Sequence, residues 1–168
     1  MQHYGVPTRL LDWSESPLVA TFFAVGNGKG NKDSDAAVWV LAPTDLNKNA
    51  NIVDKEEGGY IPSFDDEEVQ GYKTEVVRQQ ARLELFPIAT IATRNNPRIQ
   101  AQLGTFTIHH NKVVPIEKVG TGEHVARLII PKENKAHNAN ELALLGVNKF
   151  SLFPELESIG SILKELAQ

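Results

Sequence analysis

Five side chains able to bind ligands or move protons fall close together near the start of the chain: Gln2, His3, Arg9, Asp12 and Ser14. Gly5, Pro7, Leu10, Leu11 and Trp13 interleave with them, so part of the set must lie against apolar core. Buried polar groups need partners, and a cluster of them is either a network or a site. Read as a site, Arg9 and His3 would hold an anion while Asp12 and Ser14 position hydroxyls, which suits a phosphate- or ribose-bearing ligand. Read as a brace, Arg9 would pair with Asp12 at the entry to the next helix and Ser14 would cap it. A metal centre is not expected, because His3 and Asp12 alone are too few ligands.

A second group lies far along the chain. Arg98 and Gln102 stand at i and i+4, which puts both on one face of a helix, and Gly104 just beyond permits close backbone approach. These three could form a second wall of a pocket, or a short helix with a solvated polar face. His109 and His110 are adjacent on a predicted strand, so their rings point to opposite faces and cannot chelate one ion. One solvated and one half-buried histidine is the expectation. The glycine-rich run Gly26–Gly30 follows a helix, whereas phosphate-cradling loops follow a strand and open a helix. It reads as a helix stop and a loop. The acidic stretch from Asp54 to Glu68 does not match a calcium-loop spacing and reads as a solvated excursion.

The elements that must position these groups follow from caps and apolar periodicity. Pro7–Trp13 is extended, then Ser16 caps a helix with Pro17 in its first turn and Leu18–Val25 as its body. Ala36–Ala42 reads as a strand buried on both faces. Asn47–Tyr72 is the least structured stretch, with a helix expected over about Glu67–Ala81. Pro87–Thr93 is a short strand, Arg98–Gln102 a helix opened by Asn96 and Pro97, and Thr105–His109 and His124–Pro131 are strands. Asn140–Leu145 is a short helix ended by Gly146, and Pro154–Ala167 an amphipathic one. Strands and helices mix without strict alternation. That predicts an α+β fold, with a mixed, mainly antiparallel sheet and flanking helices.

Composition bounds the function. The 168 residues suit one globular domain, with 41% apolar and 23% charged residues. No apolar run reaches the ~20 residues of a membrane span, and no signal-peptide pattern opens the chain, so a cytoplasmic address is expected. The absence of cysteine excludes disulfides and thiolate metal sites. A net charge of −4 argues against a general nucleic-acid binder. The imbalance is local, since Asp54–Glu75 holds eight acids and two lysines.

Three motifs carry a family resemblance. The run Gln2–Ala20 (QHYGVPTRLLDWSESPLVA) resembles the signature of the FRG domain, a bacterial domain of undefined reaction. Arg98–Phe106 (RIQAQLGTF) resembles its second motif, and Leu145–Leu156 (LGVNKFSLFPEL) its C-terminal one. The resemblance implies a single FRG-like domain over residues 1–168, without the Phe-Arg-Gly-like motif that the family carries upstream. That arginine would then come from another chain or be missing from the site. More distantly, Leu10–Ala24 is similar to the serine-bearing strand and following helix of ADP-ribosyltransferases. That similarity implies an ADP-ribosyltransferase-like fold and NAD as a cofactor, with Ser14, Gln102 and His3 catalytic. Gln2, Arg9, Asp12, Arg98 and Gly104 would contact the ligand. Cleaving the nicotinamide–ribose bond builds oxocarbenium character, which a carboxylate stabilises. Gln102 is neutral, so nucleotide binding is expected ahead of efficient transfer; the alternative is a non-catalytic module for a nucleotide, nucleic acid or protein partner.

Overall fold

A computed structural model describes residues 8–26, 33–54, 58–80, 82–111, 114–154 and 160. The fold is α+β, as the element pattern predicts, with two small antiparallel sheets and several helices. The elements in order are β1 (Leu10–Ser14), α1 (Pro17–Val25), β2 (Ala36–Leu41), α2 (Pro43–Asn49), α3 (Glu67–Gln70), α4 (Thr74–Gln79), β3 (Ile88–Thr90), α5 (Pro97–Ala101), β4 (Gly104–Ile108), β5 (Val125–Ile130), α6 (Lys135–Leu144) and α7 (Lys149–Leu152). One sheet has the order β1–β4–β3 and the other pairs β2 with β5. In the first, β3 and β4 run antiparallel with Ile88 opposite Ile108, Ala89 opposite Thr107 and Thr90 opposite Phe106.

Local signals place several of these elements. Ser16 is extended and its side chain accepts from the Val19 N–H, with Pro17 in the first turn of α1. Val19, Phe22 and Val25, three residues apart, form the buried face of that helix. Asn96 caps α5 in the same way, accepting from the Arg98 N–H ahead of Pro97.

The chain forms two compact units. The first takes the described residues of Met1–Trp13, Val40–Thr93 and Thr105–Ala126. Its core has two apolar clusters, one of Ile52, Val69, Tyr72, Ile88 and Ile108, the other of Leu46, Ala89, Ile116 and Val119. The second takes the described residues of Ser14–Trp39, Arg94–Gly104 and Arg127–Gln168. There α1 packs on α6, and Val19, Phe22 and Val25 meet Leu142 and Leu152.

The stretch from Asn47 to Tyr72 departs from expectation. It is no loose excursion, since Asn47 is fully buried at the end of α2 and Ile52, Val69 and Tyr72 belong to the core. The helix expected over Glu67–Ala81 is broken into α3 and α4 between Gly71 and Lys73. Tyr72 is the reason: its ring is buried and its hydroxyl donates to the Phe86 carbonyl at 2.5 Å, a tertiary anchor that overrides helix continuation.

Strand β2 lies where expected but is not covered on both faces. Trp39 is 42% and Val40 48% exposed, and on β5 Leu128 is 58% exposed. A ribbon of two strands cannot bury both faces. The Arg127 guanidinium covers part of one face, 5.6 Å from the Trp39 ring centroid. Helix α6 begins five residues earlier than its apolar pattern suggests, at Lys135 rather than Asn140. The amphipathic helix expected over Pro154–Ala167 lies outside the described residues apart from Pro154 and Gly160. Among the described residues no helix is long and apolar enough to cross a membrane.

Candidate functional site

The residues singled out by sequence fall into the two units. Arg9 and Asp12 belong to the first, and Ser14, Arg98, Gln102 and Gly104 to the second. Gln2 and His3 lie outside the described residues, as does the glycine-rich run after Gly26.

In the second unit Ser14 and Gln102 are joined directly. The Ser14 hydroxyl donates to the Gln102 main-chain carbonyl at 2.7 Å and accepts from the Ser16 N–H at 3.1 Å. The Gln102 side-chain amide donates to the Leu152 carbonyl at 3.0 Å, tying α5 to the end of α7. Leu103, in the turn from α5 to β4, has left-handed backbone (φ 47°), and its carbonyl accepts from the Glu15 N–H at 3.0 Å. Two successive carbonyls of that turn therefore clasp the end of β1. A Cβ on Gly104 would lie 3.4 Å from Ile99 Cγ2, an ordinary van der Waals contact. Arg98 lies over the Phe153 ring at 4.7 Å, a cation–π contact. Glu15, the carboxylate nearest in sequence to Ser14 on the helix side, pairs with Arg94 at 2.5 Å.

In the first unit Arg9 does not form the ion pair with Asp12 that spacing allows. One of its terminal nitrogens donates to the His109 carbonyl at 3.1 Å and the other to the Tyr72 carbonyl at 2.6 Å, while its own carbonyl accepts from the His109 N–H at 2.8 Å. The guanidinium is half-buried and straddles segments 63 and 100 residues away in sequence. Asp12 is exposed. Next to it Trp13 donates from Nε1 to Thr107 Oγ1 at 3.1 Å, which locks β1 against β4.

A further residue joins this group, and sequence reading had set it aside. His110 is 1% exposed, not half-buried, and among the described residues neither ring nitrogen has a hydrogen-bond partner. Its ring meets Tyr72 edge-on, with centroids 5.6 Å apart and planes at 90°. Burial, then the nearby Arg9 charge, lower its pKa, and the Gly71 main chain, close by without hydrogen-bond geometry, pulls weakly the other way. His109 is half-buried, and burial lowers its pKa too. Both histidines lie just past the end of β4 at Ile108 rather than on the strand expected for them. The signal for His110 was its place one residue past the partner of Arg9, which only the pairing of β1 with β4 reveals. Among the described residues no group of histidines and carboxylates could hold a metal ion.

No curated protein and no solved structure matches the chain. The family model of the FRG domain does match, over residues 1–33. That stretch runs through Arg9, Asp12, β1, Ser14 and α1, the segment from which both clusters are built. The match is partial, and over those residues the chain is similar to the FRG domain, the family its opening motif resembles.

Proposed function

We propose that this FRG-type chain is a non-catalytic binding module for a ligand of the nucleotide class, NAD or ADP-ribose being the probes of choice. The observation that supports it is the state of the two side chains assigned to catalysis. The Ser14 hydroxyl is engaged as donor and acceptor with main chain, and the Gln102 amide donates to Leu152. Both are neutral, and Glu15 beside them is neutralised by Arg94. Oxocarbenium stabilisation asks for a free carboxylate at the reacting carbon. A binding module asks only for hydrogen bonds and a cation, and in the first unit Arg9 supplies both. On this reading the nucleotide of the ADP-ribosyltransferase resemblance is kept and the transfer chemistry is dropped.

The test is incubation with NAD followed by measurement of free nicotinamide, alongside calorimetry with NAD and ADP-ribose. Binding without nicotinamide release above the protein-free rate is expected. Release that disappears in Gln102→Ala would overturn the non-catalytic reading. Absence of binding by both nucleotides would overturn the ligand class.

A further inference from the structure

We infer that Arg9 and His110 form a small oxyanion site in the first unit, suited to a phosphate or carboxylate group. It deepens the binding reading above by naming the ligand group recognised.

Two observations converge there. The first is a buried polar ring without a formed hydrogen bond: His110 is 1% exposed and, among the described residues, neither nitrogen has a partner in bonding geometry, the Gly71 main chain lying close by. Leaving a buried donor unmatched forfeits its hydration without return, so a native protein rarely keeps one without a use. The second is a half-buried guanidinium whose bonds, among the described residues, go to the Tyr72 and His109 carbonyls. Among the described residues no carboxylate lies within ion-pair distance of it. Two of its five N–H donors are used among the described residues, both on neutral carbonyls.

The chemistry of the pair selects the ligand. A cation is excluded by the guanidinium. A water molecule would satisfy the imidazole but leave the charge. An oxyanion accepts from the remaining guanidinium donors and from a neutral imidazole N–H together, and cancels the charge as well. The Tyr72 ring, edge-on to His110, and its hydroxyl bond to Phe86 hold the imidazole in place. The two carbonyl bonds do the same for the guanidinium.

The experiment titrates the full chain with inorganic phosphate and with sulfate, against sodium chloride at equal ionic strength. It follows melting temperature and the histidine ring resonances by nitrogen–proton NMR. A saturable rise in melting temperature with phosphate, absent with chloride, is expected, together with movement of the His110 ring signals. Arg9→Lys should raise the phosphate midpoint about tenfold or more, because an ammonium cannot reproduce the planar fork. His110→Phe keeps an aromatic ring against Tyr72 and removes the orphan nitrogens. It should melt no lower than the parent without phosphate and lose most of the phosphate response. Phosphate behaving like chloride, or a response unchanged in His110→Phe, would overturn the site. So would His110 ring signals that phosphate leaves unmoved in the parent chain, a readout that needs no variant to fold. Phosphate binding without NAD or ADP-ribose binding would uphold the site and sink the nucleotide reading. Nucleotide binding with His110 unmoved by phosphate would sink the site alone.

Discussion

The side chain of Asn47 pairs with the main chain of Ala89 as a neighbouring strand would. Its Oδ1 accepts from the Ala89 N–H at 2.7 Å, and its Nδ2 donates to the Ala89 carbonyl at 3.0 Å and to the Tyr60 carbonyl at 2.9 Å. The pair is fully buried, so the end of α2 completes the free edge of β3 without a strand of its own.

Asn47→Ala should therefore be among the most damaging substitutions in the first unit. It strands the Ala89 N–H and two carbonyls in the core, at a cost of about 3 kcal/mol. Urea unfolding measures the loss, and hydrogen exchange at the Ala89 amide should accelerate. A loss under about 1 kcal/mol would mean that water replaces the amide freely.

Two glycines of nearly equal backbone angle separate conformational strain from steric overlap. Gly122 has φ +77° and Gly146 φ +78°. A Cβ on Gly122 would lie 2.8 Å from the Glu117 carbonyl oxygen, while one on Gly146 meets nothing within 4 Å. Gly146→Ala should cost about 1 kcal/mol for the left-handed backbone alone. Gly122→Ala should cost about 1–2 kcal/mol more, because main chain must shift. Equal losses in thermal or urea unfolding would show that the Glu117 carbonyl moves aside easily.

Acidification should weaken the first unit through its histidines. His110 faces the Arg9 guanidinium and the Tyr72 ring, and both it and His109 have pKa values below the ordinary 6.5. Above that pH both folded and unfolded chains are neutral at these sites, and the contribution is complete. As pH falls below it, the unfolded chain takes up protons that the fold refuses, and stability drops until the folded pKa values are reached. The urea midpoint should fall between about pH 7.5 and pH 5.5, and fall less in His110→Phe. An unchanged pH profile in that variant would remove His110 from the account.

Tyr60 and Asp66 offer a paired titration. The Tyr60 hydroxyl donates to Asp66 Oδ2 at 2.7 Å, and the same oxygen accepts from the Ser63 N–H at 2.7 Å. The bond to Asp66 is the largest influence on Tyr60, whose pKa is pushed up to about 12; the hydroxyl in turn is the chief cause of the lowered Asp66 value. The stability that Asp66 contributes is present above the ordinary carboxylate pKa and lost as pH falls through its folded value. In Tyr60→Phe the Asp66 carboxyl should titrate higher by NMR, though still low because Ser63 remains. No upward movement would show that Ser63 alone sets it.

The chain's local chemistry determined its local structure. Ser16 with Pro17 and Gly26 bound α1, and Asn96 with Pro97 open α5, because a cap acts on amides two or three residues away and its signal lies within one turn of sequence. The extended runs at β1, β2 and β5 were legible for the same reason, from side-chain types that suit strands. What each polar side chain would do was not legible. Arg9 had Asp12 at hand but bonds to carbonyls 63 and 100 residues away. Asn47, in a stretch whose composition suggests a loop, finds its partner 42 residues on. Strand register decides such pairings, as when it sets His109 opposite Arg9 and so leaves His110 buried beside that guanidinium. Register depends on packing across the sheet, which no window of sequence contains. The polar opening segment was visible from sequence; only the tertiary structure decided that Ser14 and Gln102 serve as a clasp, while Arg9 reaches the Tyr72 and His109 carbonyls and His110 is buried close to it.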